Sequence, residues 1–199
     1  AGDDAATRSR FLGIMATETN RMQALVRDLM SLSRIEAEKY DPPQTPVDFA
    51  SIIMETVDHL RNSQKDRGAD IAVDVTSDLP PVMGDVGQLR QLASNILNNS
   101  MKYGHAGTPV SVSLTPSKSG AMINFAVTDV GDGIAPEHLP RLTERFYRVD
   151  SGRSRLVGGT GLGLSLVKHI VDRHRGHLEI RSILSKGTTV SILLPVAHS

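Results

Sequence analysis

The sequence predicts an α+β fold, with helices laid on one face of a mixed sheet. Three observations carry this. Apolar residues recur at helical spacing in four stretches. Short segments of strictly alternating character lie between them. The last two such segments are joined by Ser185, Lys186 and Gly187 and close the chain as an antiparallel hairpin. A length of 199 residues suits one domain with a small appendage.

The first forty residues read as one long helix. Phe11, Met15, Glu18, Met22, Leu25, Leu29 and Leu32 alternate four and three apart, the spacing of a helix–helix seam, with Glu18 as its polar break. Leu12, Ile14, Val26 and Ile35 widen the stripe to a bundle-type face. Residues 41–46 (Asp-Pro-Pro-Gln-Thr-Pro) hold three prolines in five positions, which cannot continue a helix and form a semi-rigid linker. We therefore expect residues 1–40 to be a separate element that packs on something other than the unit formed by residues 47–199.

A second helix is expected from about Asp48, its N-cap, to Asp66, ended by Gly68. Ile71 to Val75 alternates as a strand, and Asp85 caps a third helix running to Tyr103. Val110–Leu114 and Met122–Thr128 form strands around a Ser117–Gly120 turn. Pro136–Phe146 reads as a short helical pair and Leu162–Arg175 as the last helix. His177–Ser182 and Thr188–Leu194 form the closing hairpin.

Composition narrows the function. Lys and Arg together number 22 and so do Asp and Glu, and this zero net charge speaks against wrapping a nucleic acid. The chain has no cysteine, which excludes disulfides, thiolate zinc sites and thiol nucleophiles. No apolar run approaches the ~20 residues of a membrane span.

Three clusters carry chemistry. In the first, Asn95 to Tyr103, the spacing places Asn95, Asn99 and Lys102 on one helix face. An Asn oxygen is a neutral ligand suited to Mg²⁺, which takes its remaining ligands from water and phosphate. The second cluster, Asp129 to Ile134, follows a strand. Gly131 and Gly133 allow close backbone approach to a flat ligand, and the Asp129 carboxylate can accept a hydrogen bond from an exocyclic amine. An ordinary Asp-Gly turn explains this motif equally well when it is taken alone.

The third cluster, Gly158 to Ser165, opens a helix, so Gly159, Thr160, Gly161, Leu162 and Gly163 would present amides to an anion. It lacks the Gly-Lys-Ser/Thr of a P-loop and the spacing of a dinucleotide fingerprint. The preceding stretch, with Arg145, Arg148, Arg153 and Arg155, reads as a nucleotide lid. His174 and His177 are three apart but have no third ligand in view, so no metal is assigned to them.

In their order, these clusters resemble the N, G1, F and G2 boxes of sensor histidine kinases. That family lies within the superfamily of the gyrase, chaperone and mismatch-repair ATPases. Asn95–Tyr103 matches the N box, Asp129–Ile134 the G1 box, Glu144–Arg148 the F box and Gly159–Gly163 the G2 box. The resemblance covers about Val47 to Val196. It implies a Bergerat-type ATP-binding sandwich, with ATP and Mg²⁺ as cofactors. It further implies Mg²⁺ on Asn99, phosphates at Asn95 and Lys102, Tyr103 lining the pocket and Asp129 on the adenine amine. Residues 10–36 are similar to the second helix of the dimerisation and phosphoacceptor hairpin, in wording closest to the phosphate-regulon type.

A His followed by an acidic residue and Leu-Arg-Thr-Pro, expected on the first hairpin helix, surrounds none of the seven His. The resemblance thus implies part of a bacterial receptor. This would be its cytoplasmic, ATP-binding portion, unable to phosphorylate itself, homodimeric through the hairpin in the parent and partnered by a response regulator receiver domain. It implies no contact with nucleic acid or membrane. No residue of this chain is assigned as nucleophile or base. Two other readings are a nucleotide-binding regulatory module without phosphotransfer and a Ser/Thr kinase of the anti-sigma-factor type. The hairpin-like helix speaks against the second.

Overall fold

The computed structural model describes residues 5–38, 40–63, 71–149 and 159–197. Helix α1 spans Ala5–Ala37. Strand β1 (Pro46–Val47) takes up the last linker proline and pairs antiparallel with β3 (Val82–Met83). Between them lie α2 (Phe49–Ser63) and β2 (Ile71–Val75). Asp48 caps α2, accepting from the Ser51 amide at 3.1 Å and the Ser51 hydroxyl at 2.6 Å. These bonds hold its carboxyl below the usual range. The expected end of α2 at Asp66 and Gly68 lies outside the described residues.

Helix α3 (Val86–Tyr103) starts at Asp85, whose side chain accepts from the Gln88 amide at 2.9 Å. Strands β4 (Val110–Pro116) and β5 (Met122–Asp129) follow, then α4 (Gly163–Arg173), β6 (His177–Ile183) and β7 (Gly187–Pro195). The five-stranded sheet runs β2-β4-β5-β7-β6. Among the described residues, only its β2–β4 pair is parallel.

Period-two alternation explains the layering. Val110, Val112, Leu114, Ile123, Phe125, Val127, Val190, Ile192 and Leu194 form a buried row. That row joins one core with the apolar faces of α2, α3 and α4. Phe49 meets Phe125 edge-on at 5.5 Å between ring centroids. The intervening Ser111, Ser113, Thr115, Asn124 and Ser191 are not buried, so the helices occupy a single sheet face as expected.

Two expectations are corrected. Pro136–Phe146 is not a helical pair. Among its residues only Leu139–Arg141 form a single 3₁₀ turn. Pro140 has no amide to donate, and the neighbouring amides bond three residues back, as Arg141 does to His138 and Glu144 to Arg141. Nor is α1 wholly separate from the α+β unit. Its first two-thirds stand clear, with Phe11 62% and Met15 64% exposed, but Leu32 (1%) and Ile35 (3%) lie in the common core. Arg173 clamps this end, bonding the Glu38 carbonyl at 3.2 Å and its carboxylate at 2.9 Å. Glu36 pairs with Arg145 and lies 3.7 Å from His169 Nε2.

Candidate nucleotide site

The glycine-rich segment before α4 meets the polar face of α3. A Cβ built on Gly163 would lie 3.1 Å from Asn95 Oδ1, and one on Gly159 would lie 2.7 Å from Lys102 Nζ. The segment's two ends therefore face the two ends of the Asn95–Asn99–Lys102 stripe. Asn99 sits half-buried between them in helical register. Gly161 has φ +72, and its Cβ would lie 2.9 Å from Phe146 Cα, so a side chain is excluded by conformation and by space. Its carbonyl accepts from the Phe146 amide at 2.9 Å, while Arg148 Nη1 donates to the Gly159 carbonyl at 3.0 Å. Arg153 and Arg155, the other expected lid cations, lie outside the described residues.

Leu162, the N-cap residue of α4, makes no side-chain cap bond; the Thr160 hydroxyl instead accepts from the Leu162 amide at 3.2 Å. The start of α4 combines orphan amides, the positive end of the helix dipole and a nearby Lys ammonium. Its chemistry favours an anion carrying several oxygens.

Asp129 ends β5 deep in the fold. Its Oδ1 accepts from the Thr188 amide on β7 at 3.2 Å. Burial pushes its carboxyl above the ordinary value, against the hydrogen bonds from Thr188 and Ser100 and the nearby His105. A carboxylate held at that desolvation cost is a strong acceptor aimed into the protein. Gly104, which caps α3, forms an isolated antiparallel bridge with Gly131. This pins the end of α3 beside Asp129: a Cβ on Gly131 would lie 2.5 Å from the Tyr103 carbonyl. Gly133, with φ +68, lies against the backbone of Ile183. Tyr103 is exposed, its ring 5.0 Å from Lys102 Nζ.

The predicted residues within the described segments thus fall on the α3–α4 cleft, with Arg148 on its Gly159 carbonyl, and on the end of β5 with the loop after it, whereas Arg145 is turned to Glu36 of α1. The sequence reading missed their supports. His105 Nε2 lies 3.0 Å from Asp132 Oδ1, and Asp28 of α1 accepts from the Thr160 hydroxyl at 2.9 Å. His105, two residues beyond Tyr103, was open to notice; Asp28, 132 positions from Thr160, carries no local signal. The His174–His177 pair is no ligand pair. His174 is buried with Nδ1 on the Ile170 carbonyl at 2.8 Å and Nε2 accepting from the Asp85 amide at 3.1 Å.

The profile of the histidine kinase-, DNA gyrase B-, and HSP90-like ATPase family matches residues 84–198. The sensor-like histidine kinase SenX3 of Mycolicibacterium smegmatis is 37% identical over 202 residues, taking in 98% of this chain and 50% of the relative. The phosphate regulon sensor protein PhoR of Pseudomonas aeruginosa is 38% identical over 183 residues, covering 90% of this chain and 40% of the relative. The chain spans about half the length, or less, of the curated relatives it matches. Among solved structures, full-length ShkA in complex with AMPPNP superposes with a TM-score of 0.79 at 26% identity, over 98% of this chain and 40% of that one. The mycobacterial sensor histidine kinase MprB gives 0.66 at 28% identity, over 78% of this chain and 99% of that one. With the cleft, the buried carboxylate and the sheet order all in place, the chain belongs to the histidine kinase-, DNA gyrase B-, and HSP90-like ATPase family, and it lines up with the ATPase part of relatives named sensor histidine kinases.

Proposed function

We propose that this chain binds ATP with Mg²⁺ and directs the γ-phosphoryl group to a histidine on a partner helix, from which it passes to an aspartate of a response regulator receiver domain. The observation that carries the reading is the apposition of Asn95 and Lys102 to the two ends of the Gly159–Gly163 segment at the start of α4. Phosphate oxygens take the α4 amides and Lys102, with Arg148 beside them, and the lid arginines Arg153 and Arg155 are the further cations that would join the bound phosphates. Adenine lies over Gly131 and Gly133, its exocyclic amine donating to Asp129, with Tyr103 at the edge of the pocket.

The donor set fits Mg²⁺. Asn99 offers one neutral oxygen on the face that Asn95 and Lys102 share, and the nucleotide brings the negative charge. Bound there, the ion would supply charge neutralisation at the phosphates. What the chain's own residues contribute is position and electrostatics, with no covalent step.

Residues 1–40 then act as the second helix of a dimerisation hairpin, 41–46 as linker and 47–199 as the catalytic unit. The parent is a homodimeric, membrane-bound bacterial receptor with this part in the cytoplasm. SenX3, named a sensor-like histidine kinase, and PhoR, named a phosphate regulon sensor protein, support the receptor part of that reading. The test is incubation of this chain with γ-labelled ATP and a separate polypeptide carrying the phosphoacceptor helix. Acid-labile label on that polypeptide is expected. ATP binding without any label transfer would leave only a nucleotide-binding module.

A further inference from the structure

We infer that Asp28 of α1 competes with the terminal phosphate of a bound nucleoside triphosphate, so that docking of α1 and tight triphosphate binding oppose each other. The inference rests on the nucleotide site proposed above. Asp28 Oδ2 accepts from Thr160 Oγ1 at 2.9 Å, and the same Oγ1 accepts from the Leu162 amide at the start of α4 at 3.2 Å. The carboxylate is thus one hydroxyl away from the amides that would receive phosphate. It stands where an anion is favoured, and it is itself an anion.

Asp28 is not there by accident of an exposed rotamer. Asp28, Leu32 and Ile35 follow at four and three residues, so one face of α1 carries all three. Leu32 and Ile35 are buried in the common core. Glu36 is held by Arg145, and Glu38 by Arg173. The anchoring sets Asp28 against Thr160 whenever this end of α1 is docked. A triphosphate entering the site meets a like charge and a hydroxyl already engaged. Lifting this end of α1 removes both. By linkage, whatever factor docking subtracts from triphosphate affinity, the triphosphate subtracts from docking.

Calorimetric titration of Mg²⁺ with ATP, ADP or AMP tests this on the full chain and on Asp28→Asn, which keeps an acceptor for Thr160 and loses the charge. ATP should bind the variant about five-fold more tightly or better, ADP should gain less and AMP nothing. Leu32→Ala, which loosens docking and leaves Asp28 intact, should also tighten ATP binding. In hydrogen exchange, ATP should speed the amides of residues 28–38 in the unaltered chain. ATP affinity within two-fold in both variants, with exchange in α1 indifferent to ATP, would overturn the inference while leaving the nucleotide site standing. An unaltered chain that bound none of the three nucleotides would overturn the site and the inference together.

Discussion

At the scale of single residues, Asp129 and Asn99 set contrasting demands. Burial holds the Asp129 carboxyl above its ordinary value, so in the folded state its charge is disfavoured. The contribution to stability is full below the unfolded value near 3.8 and is lost as pH rises through the folded one. Asp129→Asn should therefore raise the melting temperature at pH 7, with the gain shrinking toward pH 4. The same substitution should weaken ATP binding and erode its preference over GTP, because the acceptor for the adenine amine becomes an amide. A variant that melts lower at pH 7, or that keeps full selectivity, would contradict this. Asn99→Ala should leave melting nearly unchanged and cost about 1–3 kcal/mol in Mg²⁺–ATP affinity by calorimetry. The placement of these two residues was legible, because Asn, Lys and clustered Gly at fixed spacings fix which of them share a helix face or a turn. Thr188 and Ser100, which hold the Asp129 carboxylate, were not, since a Thr or Ser carries no such signature in a strand or helix.

Among the elements, the strands were the most legible. Val110–Leu114 and Met122–Thr128 alternate cleanly because one sheet face is buried and the other is not. The stretch around Pro140 misled, since its residue types permit a helix while its single buried apolar anchor, Leu142, gives a helix nothing to lie on. The start of α3 rests on a group that periodicity cannot show. His174, the C-cap of α4, accepts from the Asp85 amide, and burial lowers its pKa below the ordinary value near 6.5. The unfolded chain then binds the proton more readily, so this stabilisation is complete above about pH 6.5 and fades as pH falls. Urea unfolding at pH 7.5 and 5.5 should show a loss that a His174→Gln variant largely lacks. Equal pH slopes for the two chains would count against it. In the loop after β5, Gly133→Ala would force both a left-handed Ala and a clash with Ile183, and should cost about 2 kcal/mol or more by the same unfolding assay.

For the whole molecule, α1 matters most. Its helical course was legible from the stripe, yet that run is covered only at one end: Leu32 and Ile35 are buried where α1 meets α4, while Phe11, Met15, Met22 and Leu29 remain exposed. No pattern in a single chain marks where the covered part gives way to the exposed one. Covering the exposed part at ~25 cal/mol per Å² would yield several kcal/mol per helix. The chain should self-associate in sedimentation at micromolar concentration, and Met15→Lys combined with Met22→Lys should make it monomeric. An unaltered chain that stayed monomeric at high concentration would refute this. The pairing of β5 with β7 has a consequence in time. Asp129 stands opposite Thr188 in that ladder and takes its amide bond from it. These partners are 59 positions apart, so closing the ladder requires a long loop and belongs with the slow, non-local steps of folding. On refolding from denaturant, helix signal should return early. Capture of a fluorescent adenine nucleotide should wait for the slowest phase, because until β7 docks the proposed seat for the base lacks the Thr188 bond that fixes Asp129.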